Sequence, residues 1–172
     1  MKLYCGTYKK YNEGSLFGKW LDLDEYSNAE DFLKACAELH KDEPDPEFMF
    51  QDYEADYEWE ESFYKESSVL QEYWDVKEAL AKESIDDELF DAWLSGSNEL
   101  PSVEGVEKCR DMDCGSYDSE EDYAEQMAIE TGDIKPKSYL INYIDWERVW
   151  NDTYSMDGCW FEGGHVFDPS RR

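Results

Sequence analysis

An α+β fold assembled from three small modules is what this sequence predicts, and three observations predict it. The apolar spacing switches repeatedly between the two-residue period of strands and the three-to-four-residue period of helices. Proline and small polar residues punctuate the chain at Pro44, Pro46 and residues 95–102. Aromatic side chains, 16% of the residues, supply the core that the aliphatics cannot. Leu, Ile, Val and Phe make only 31 of 172 residues, about 18% and just under the level at which a highly charged chain is expected to be disordered. Acidic disordered segments are poor in aromatics, however, and each ring buries about 150–250 Å². The chain is therefore read as folded, with an aromatic core under an acidic skin.

In the first module, residues 1–61, segments 2–8 and 18–23 read as strands joined by the turn-rich Asn12, Glu13, Gly14 and Ser15. Ser27 with Glu30 resembles a capping box that opens a helix over 29–40, with Phe32, Leu33, Cys36 and Leu39 on one face. The two prolines precede a third strand over 47–53, and Trp20, Phe48 and Phe50 are assigned to the core. The second module, 62–102, reads as helical. Val69, Leu70, Tyr73, Trp74, Val76 and Leu80 have helical spacing. Ser84 and Asp87 start another helix that Gly96 stops, and 95–102 is a linker by composition. The third module, 103–172, mixes the two. Ser119 and Asp122 cap a helix running to Gly132, residues 139–144 read as a strand, and Asp145 caps a short helix over 146–151. A strand pair near 159–161 and 165–167 closes it.

Charge dominates the functional reading. Against 44 Asp and Glu stand 16 Lys and Arg, a net of -28. That balance excludes a nucleic-acid binder working through its own basic groove and docking on an anionic membrane. No apolar run approaches the roughly 18 residues of a membrane span, and the first residues turn polar too early for a signal peptide. Five cysteines cannot all pair within one chain, so reduced thiols in a cytoplasm are expected. Residues 1–21 carry a net of +3, residues 22–75 a net of -16 and residues 76–172 a net of -15. The acids alternate with core-type residues, unlike those of an acidic tail. Asp52, Glu54, Asp56, Glu58 and Glu60 fall at every second position, which on a strand would set carboxylates roughly 6.6 Å apart on one face. The plainer reading of that run is a solvated strand face passing into a helix start.

Sites of chemistry are sparse. Cys109 and Cys114 form one close pair, where structural zinc sites show two, and ordinary half-buried thiols explain them better. Asp111, Asp113, Gly115, Tyr117, Ser119 and Asp122 stand at positions 1, 3, 5, 7, 9 and 12 of a calcium loop. The sixth position is Ser116 rather than glycine, and the twelfth lacks the bidentate Glu. Carboxylate pairs suited to hydrolysis are too abundant among 44 acids to signal anything. His40 sits at a helix end and His165 follows two glycines, neither in a catalytic motif. No cofactor is expected. The charge itself is then the leading candidate for function. Duplex DNA carries one charge per about 1.7 Å, so -28 matches about 48 Å of duplex, and two chains about 28 base pairs. Laying charge along such a length requires the modules to be strung out in an elongated chain. The fitting partner is a DNA-binding enzyme with a Lys/Arg-lined groove. An acidic calcium-buffering protein and a carboxylate hydrolase are the competing classes.

The N-terminal stretch Tyr4, Cys5, Gly6, Thr7, Tyr8, the run from Gly14 through Leu23, and Glu47 through Glu54 resemble signatures of ArdA-type antirestriction proteins. Tyr139, Leu140, Ile141, Asn142, Tyr143, Ile144, Asp145, Trp146 and Glu147 are similar to that family's antirestriction motif. The resemblance spans all three modules, departing over 55–83. It implies a DNA mimic, not an enzyme, that inhibits type I restriction-modification enzymes from within their DNA groove, carried by mobile genetic elements into a bacterial cytoplasm. It also implies an elongated homodimer joined through the third module. On both lines of reasoning the phosphate-mimicking acids are Asp22, Asp24, Glu25, Asp42, Glu43, Asp45, Asp52, Glu54, Asp56 and Glu58, with Asp86, Asp87, Glu88, Glu120, Glu121 and Asp122. Leu140, Tyr143, Ile144 and Trp146 are the candidate dimer contacts, core packing being an equal alternative for each.

Overall fold

A computed structural model describes residues 1–171. The fold is α+β, and the chain groups into two compact units, Met1–Lys82 with Pro101–Val103, and Glu83–Leu100 with Glu104–Arg172. The two helices read as a middle module are shared between them.

The first unit begins with strand β1 (Lys2–Thr7), a single helical turn α1 (Tyr8–Asn12) and strand β2 (Lys19–Asp22). Helix α2 (Ala29–Leu39) and strand β3 (Phe48–Glu54) follow. The antiparallel sheet has the order β2-β1-β3, with Leu3 opposite Leu21 and Tyr53. Alternation along β1 turns Leu3 and Cys5 inward under α2, whose Phe32 and Cys36 are buried. Asn28, rather than Ser27, caps α2: its side chain accepts from the Asp31 N–H at 2.9 Å. Aromatic packing takes the place of aliphatics here. Phe32 meets Tyr26, Phe50 and Trp74 at ring-centroid distances of 5.5, 5.7 and 6.1 Å. Of the three rings assigned to the core, Phe50 is buried, Phe48 half-buried and Trp20 exposed, because Trp20 alternates with buried Leu21 and so lies on the sheet face away from the core.

Beyond β3 the chain leaves the sheet, so the alternating acids do not form a ladder. Asp52 and Glu54 lie on the strand, and a 3₁₀ segment Glu58–Phe63 turns Glu60 inward. A two-stranded ribbon, β4 (Tyr64–Lys65) and β5 (Ser68–Val69), leads to helix α3 (Glu72–Glu83), which buries Tyr73, Trp74, Val76 and Leu80. The strand face running into a helix start is thus the reading that holds.

The second unit contains helices α4 (Asp87–Ser97) and α5 (Val103–Met112), strand β6 (Asp113–Ser116) and helix α6 (Glu120–Glu130). Helix α7 (Trp146–Val149) continues as a wider π turn through Ser155. Strands β7 (Trp160–Glu162) and β8 (His165–Phe167) end it, in the sheet order β6-β8-β7. Gly163 and Gly164, both at positive φ, make the two-residue hairpin turn between them. Gly96 does not stop α4. The helix runs on to Ser97 and ends at Asn98 in the left-handed conformation, while Gly96 provides the bare surface against which the Trp160 indole lies. Residues 139–144 are not a strand: Tyr139–Tyr143 is a 3₁₀ segment capped by Ser138, closed by local bonds such as Ile144 N–H to Ile141 O at 3.4 Å. An apolar run without a sheet edge to pair with satisfies its backbone locally. The core joins Tyr123, Ala124, Trp150, Cys159 and Val166, with Tyr117, Met127 and Tyr154 packed against it. All five cysteines are free thiols.

Candidate functional surface

The predicted phosphate-mimic acids fall into five local groups, each placed by a different backbone feature. Asp22 ends β2 and its carboxylate accepts from the Asp24 N–H at 3.2 Å, turning the chain into the 3₁₀ segment Leu23–Glu25. Asp24 accepts from the Tyr73 hydroxyl at 2.7 Å, and Glu25 is exposed. Asp42, Glu43 and Asp45 follow the end of α2. Asp52 and Glu54 occupy β3, with Asp56 and Glu58 exposed in the segment after it. Asp86, Asp87 and Glu88 gather at the start of α4, where Asp86 accepts from the Leu89 N–H at 2.8 Å. Glu120, Glu121 and Asp122 form the first turn of α6 behind the Ser119 cap. Carboxylates at a helix N-terminus are favoured by the helix dipole, so these six acids stabilise their own helices as well as contributing to the field outside.

Glu43 departs from its expected role. It is buried, accepts from the Thr7 hydroxyl at 2.8 Å and pairs with Lys10 at 3.3 Å. Burial alone would push its carboxyl up, but the Thr7 and Lys10 hydrogen bonds outweigh this and hold it below the usual carboxylate range. Its charge serves the fold. Lys10 also binds Asp42 at 2.8 Å, which lowers that carboxyl too. The same Lys10 donates to Nδ1 of buried His40 at 3.0 Å, leaving Nε2–H to donate to the Cys5 carbonyl at 3.2 Å. His40 is therefore a satisfied core residue.

A second buried acid escaped the sequence reading. Glu60, 1% exposed, sits 3.0 Å from the Lys77 ammonium and 3.7 Å from the Met1 amino group, and accepts from the Asp56 N–H at 3.0 Å. Its only sequence signal was its place in the alternating run, which pointed outward. Elsewhere the bases are largely taken by local pairs: Lys2 with Glu54, Lys34 with Glu30 and Asp31, Lys41 with Glu38, Lys108 with Glu99 and Glu104, Arg148 with Asp152. Among the described residues, Glu25, Asp45, Asp56, Glu58 and Glu88 enter no such ion pair. With 44 acids against 16 bases, such pairing leaves the exterior strongly acidic. At α6 the two neighbours diverge: burial and the adjacent Glu121 push Glu120 up, while the Ser119 hydroxyl holds Glu121 down.

Among the described residues no discrete metal centre emerges. The calcium-like positions are divided between α5, β6 and α6 rather than wrapped around a cation, and no group of three or more His, Cys, Asp or Glu able to hold a metal occurs among the described residues. Burial pushes the Cys109 and Cys159 thiols up to about 12, which suits packing rather than nucleophilic attack. No described helix is long and apolar enough to cross a membrane. The expected dimer contacts divide: Leu140 and Tyr143 are exposed, by 47% and 82%, whereas Ile144 and Trp146 are half-buried beside Val149 and Tyr154. Exposed Tyr139 adds to the same segment. No curated protein matches the chain. The antirestriction protein (ArdA) family model, however, matches residues 3–167, spanning both compact units with their acidic turns and the Tyr139–Tyr143 segment, and the chain belongs to the ArdA antirestriction family.

Proposed function

We propose that this protein inhibits type I restriction-modification enzymes by lying in their DNA-binding groove, with its carboxylates standing where DNA phosphates would. The observation that carries the reading is the distribution of unneutralised charge: residues 1–82 hold 21 acids against nine lysines, and the remainder hold 23 against seven bases. Exposed acids on both units continue that field over the surface. A groove that neutralises phosphates with Lys and Arg would release counterions on meeting it, as it does on meeting DNA. No bond is made or broken in this account; the protein acts by occupancy, in the cytoplasm of a bacterial host newly entered by mobile DNA. Leu140 and Tyr143, with Ile144 and Trp146 behind them, would join two chains into a homodimer, an exposed apolar segment being what such a contact requires. The test is a titration of the protein into a type I enzyme bound to labelled target DNA. Stoichiometric displacement at low salt, weakening as salt rises, is expected; no displacement at any salt would refute the proposal.

A further inference from the structure

Unit 1 presents an open aromatic groove in addition to its carboxylates. On the face of the β2-β1-β3 sheet opposite α2 lies a groove of about 360 Å³ lined by Tyr4, Leu16, Trp20, Gln51 and Asp52. Tyr4 and Trp20 are cross-strand partners whose rings meet edge to face at 5.5 Å and 72°. Two rings at a steep angle beside a carboxylate are the elements of a cation cage, since ring faces attract cations and a carboxylate completes the charge.

The parts are held in place before any ligand arrives. The Tyr4 hydroxyl donates to the Leu16 carbonyl at 3.1 Å. Gly18 lets the backbone pass against the Tyr4 ring, where a Cβ would come within 2.7 Å of ring carbon Cε1. Gly6 leaves room for the Gln51 amide in the same way, at 2.7 Å. The pairing of β1 with β3 slips between Leu3 and Cys5, so that Gln51 and Asp52 together oppose Tyr4. A bulge of this kind re-aims side chains, and here it brings both polar groups to one groove. The local charge is complementary to a cation: Asp52 is exposed, and Lys2, on the same face as Tyr4, is tied to Glu54 at 3.6 Å. Alternation turns Lys19 to the other face from Trp20.

We infer that this groove receives an arginine side chain of the enzyme that the protein inhibits, its guanidinium stacked on Trp20 or Tyr4 and bonded to Asp52. Arginine fits better than lysine because a planar guanidinium both stacks on a ring and forks onto a carboxylate. The inference rests on the proposed occupancy of a basic groove, and its test separates the two. Nα-acetyl-arginine methylamide is titrated into the full-length ¹⁵N-labelled protein at 0.15 M salt, without enzyme. The Trp20 indole and the Gln51 side-chain amide signals should move together and saturate. Trp20→Leu and Asp52→Asn should each weaken that binding about two- to fivefold, with Glu78→Gln, an exposed acid of α3 removed at equal charge cost, leaving it unchanged. The first two variants should lose a similar factor in displacing DNA from a type I enzyme. Asp52→Asn, at an exposed position, keeps the test valid should Trp20→Leu disturb the sheet. Shifts spread evenly over the acidic surface would overturn the cage, as would tighter binding of the capped lysine analogue or of spermidine at Trp20. Saturable arginine binding by a protein that displaces no DNA would overturn the role in inhibition while leaving the cage standing.

Discussion

The two units carry similar numbers of acids and hold them differently. In the first, lysines and the amino group of Met1 are drawn inward to buried carboxylates: Lys77 and Met1 to Glu60, Lys10 to Glu43. In the second, the clustered acids cap or begin helices α4 and α6, where backbone N–H groups and the helix dipole do the work of a counter-ion. The first arrangement depends on specific partners and fails abruptly when one is removed. The second is made of small, nearly independent increments. A protein with so few bases can thus keep an acidic exterior without a matching set of cations.

The largest effect should come from the first unit. Glu60→Ala takes the buried carboxylate away from the half-buried Lys77 ammonium at 3.0 Å. The loss should be about 3 kcal/mol, the low end for breaking one side of a buried pair, because 23% of the Lys77 side chain still meets water. Calorimetry should show the loss as an early transition. A change below 1 kcal/mol would mean that water reaches the pair. In the second unit, Gly96→Val forces a branched side chain into the Trp160 indole, an overpacking cost of about 1–3 kcal/mol that chemical denaturation would measure. Removing the α4 cap by Asp86→Ala should cost about 1 kcal/mol, and no more than that, if the helix-borne acids are independent. Smallest are the neutralisations of exposed acids: Glu25→Gln or Glu58→Gln should alter inhibition less than about twofold each, as expected for surface charges. A single such change that abolished inhibition would contradict the distributed account.

Acid sharpens the same contrast. Asp42 and Glu43 lie below their ordinary range when folded, so the unfolded chain takes up protons first as pH falls. The stability they contribute is complete above about pH 4–4.5, the unfolded range, and is lost as pH drops through their folded values. Lys10→Met should therefore flatten the acid limb of the stability profile below that range. Glu120 works with the opposite sign: its raised carboxyl makes the folded state bind protons more readily, so its charge opposes folding as pH rises.

Much of this organisation is legible in the sequence. Strands β1, β2 and β3, helix α2 and the closing hairpin follow from period and punctuation, with ends displaced by a residue or two. What fails to show is whatever depends on a distant partner. Helix α5 buries Gly105, Val106, Cys109 and Met112, a stripe with one strongly apolar aliphatic, which periodicity of Leu, Ile and Phe does not reveal. Glu43 and Glu60 look like their exposed neighbours because burial of a carboxylate is decided by Lys10 and Lys77, 33 and 17 positions away. Trp20 looks like core because only the fold shows which face of β2 is covered, and it is that of Leu21 rather than Trp20. The acidic character of the surface needs no tertiary information at all, whereas which acids face outward is decided by the fold.

The proposed mimicry sets carboxylates in place of phosphates in the enzyme's groove. Its most direct test is the salt dependence of the protein's affinity for a type I restriction-modification enzyme, plotted as log K against log salt beside the same plot for target DNA. A steep negative slope comparable to that for DNA, becoming shallower as exposed acids are neutralised together, is the predicted result. A flat slope with tight binding would contradict it, and would place recognition in apolar contacts instead.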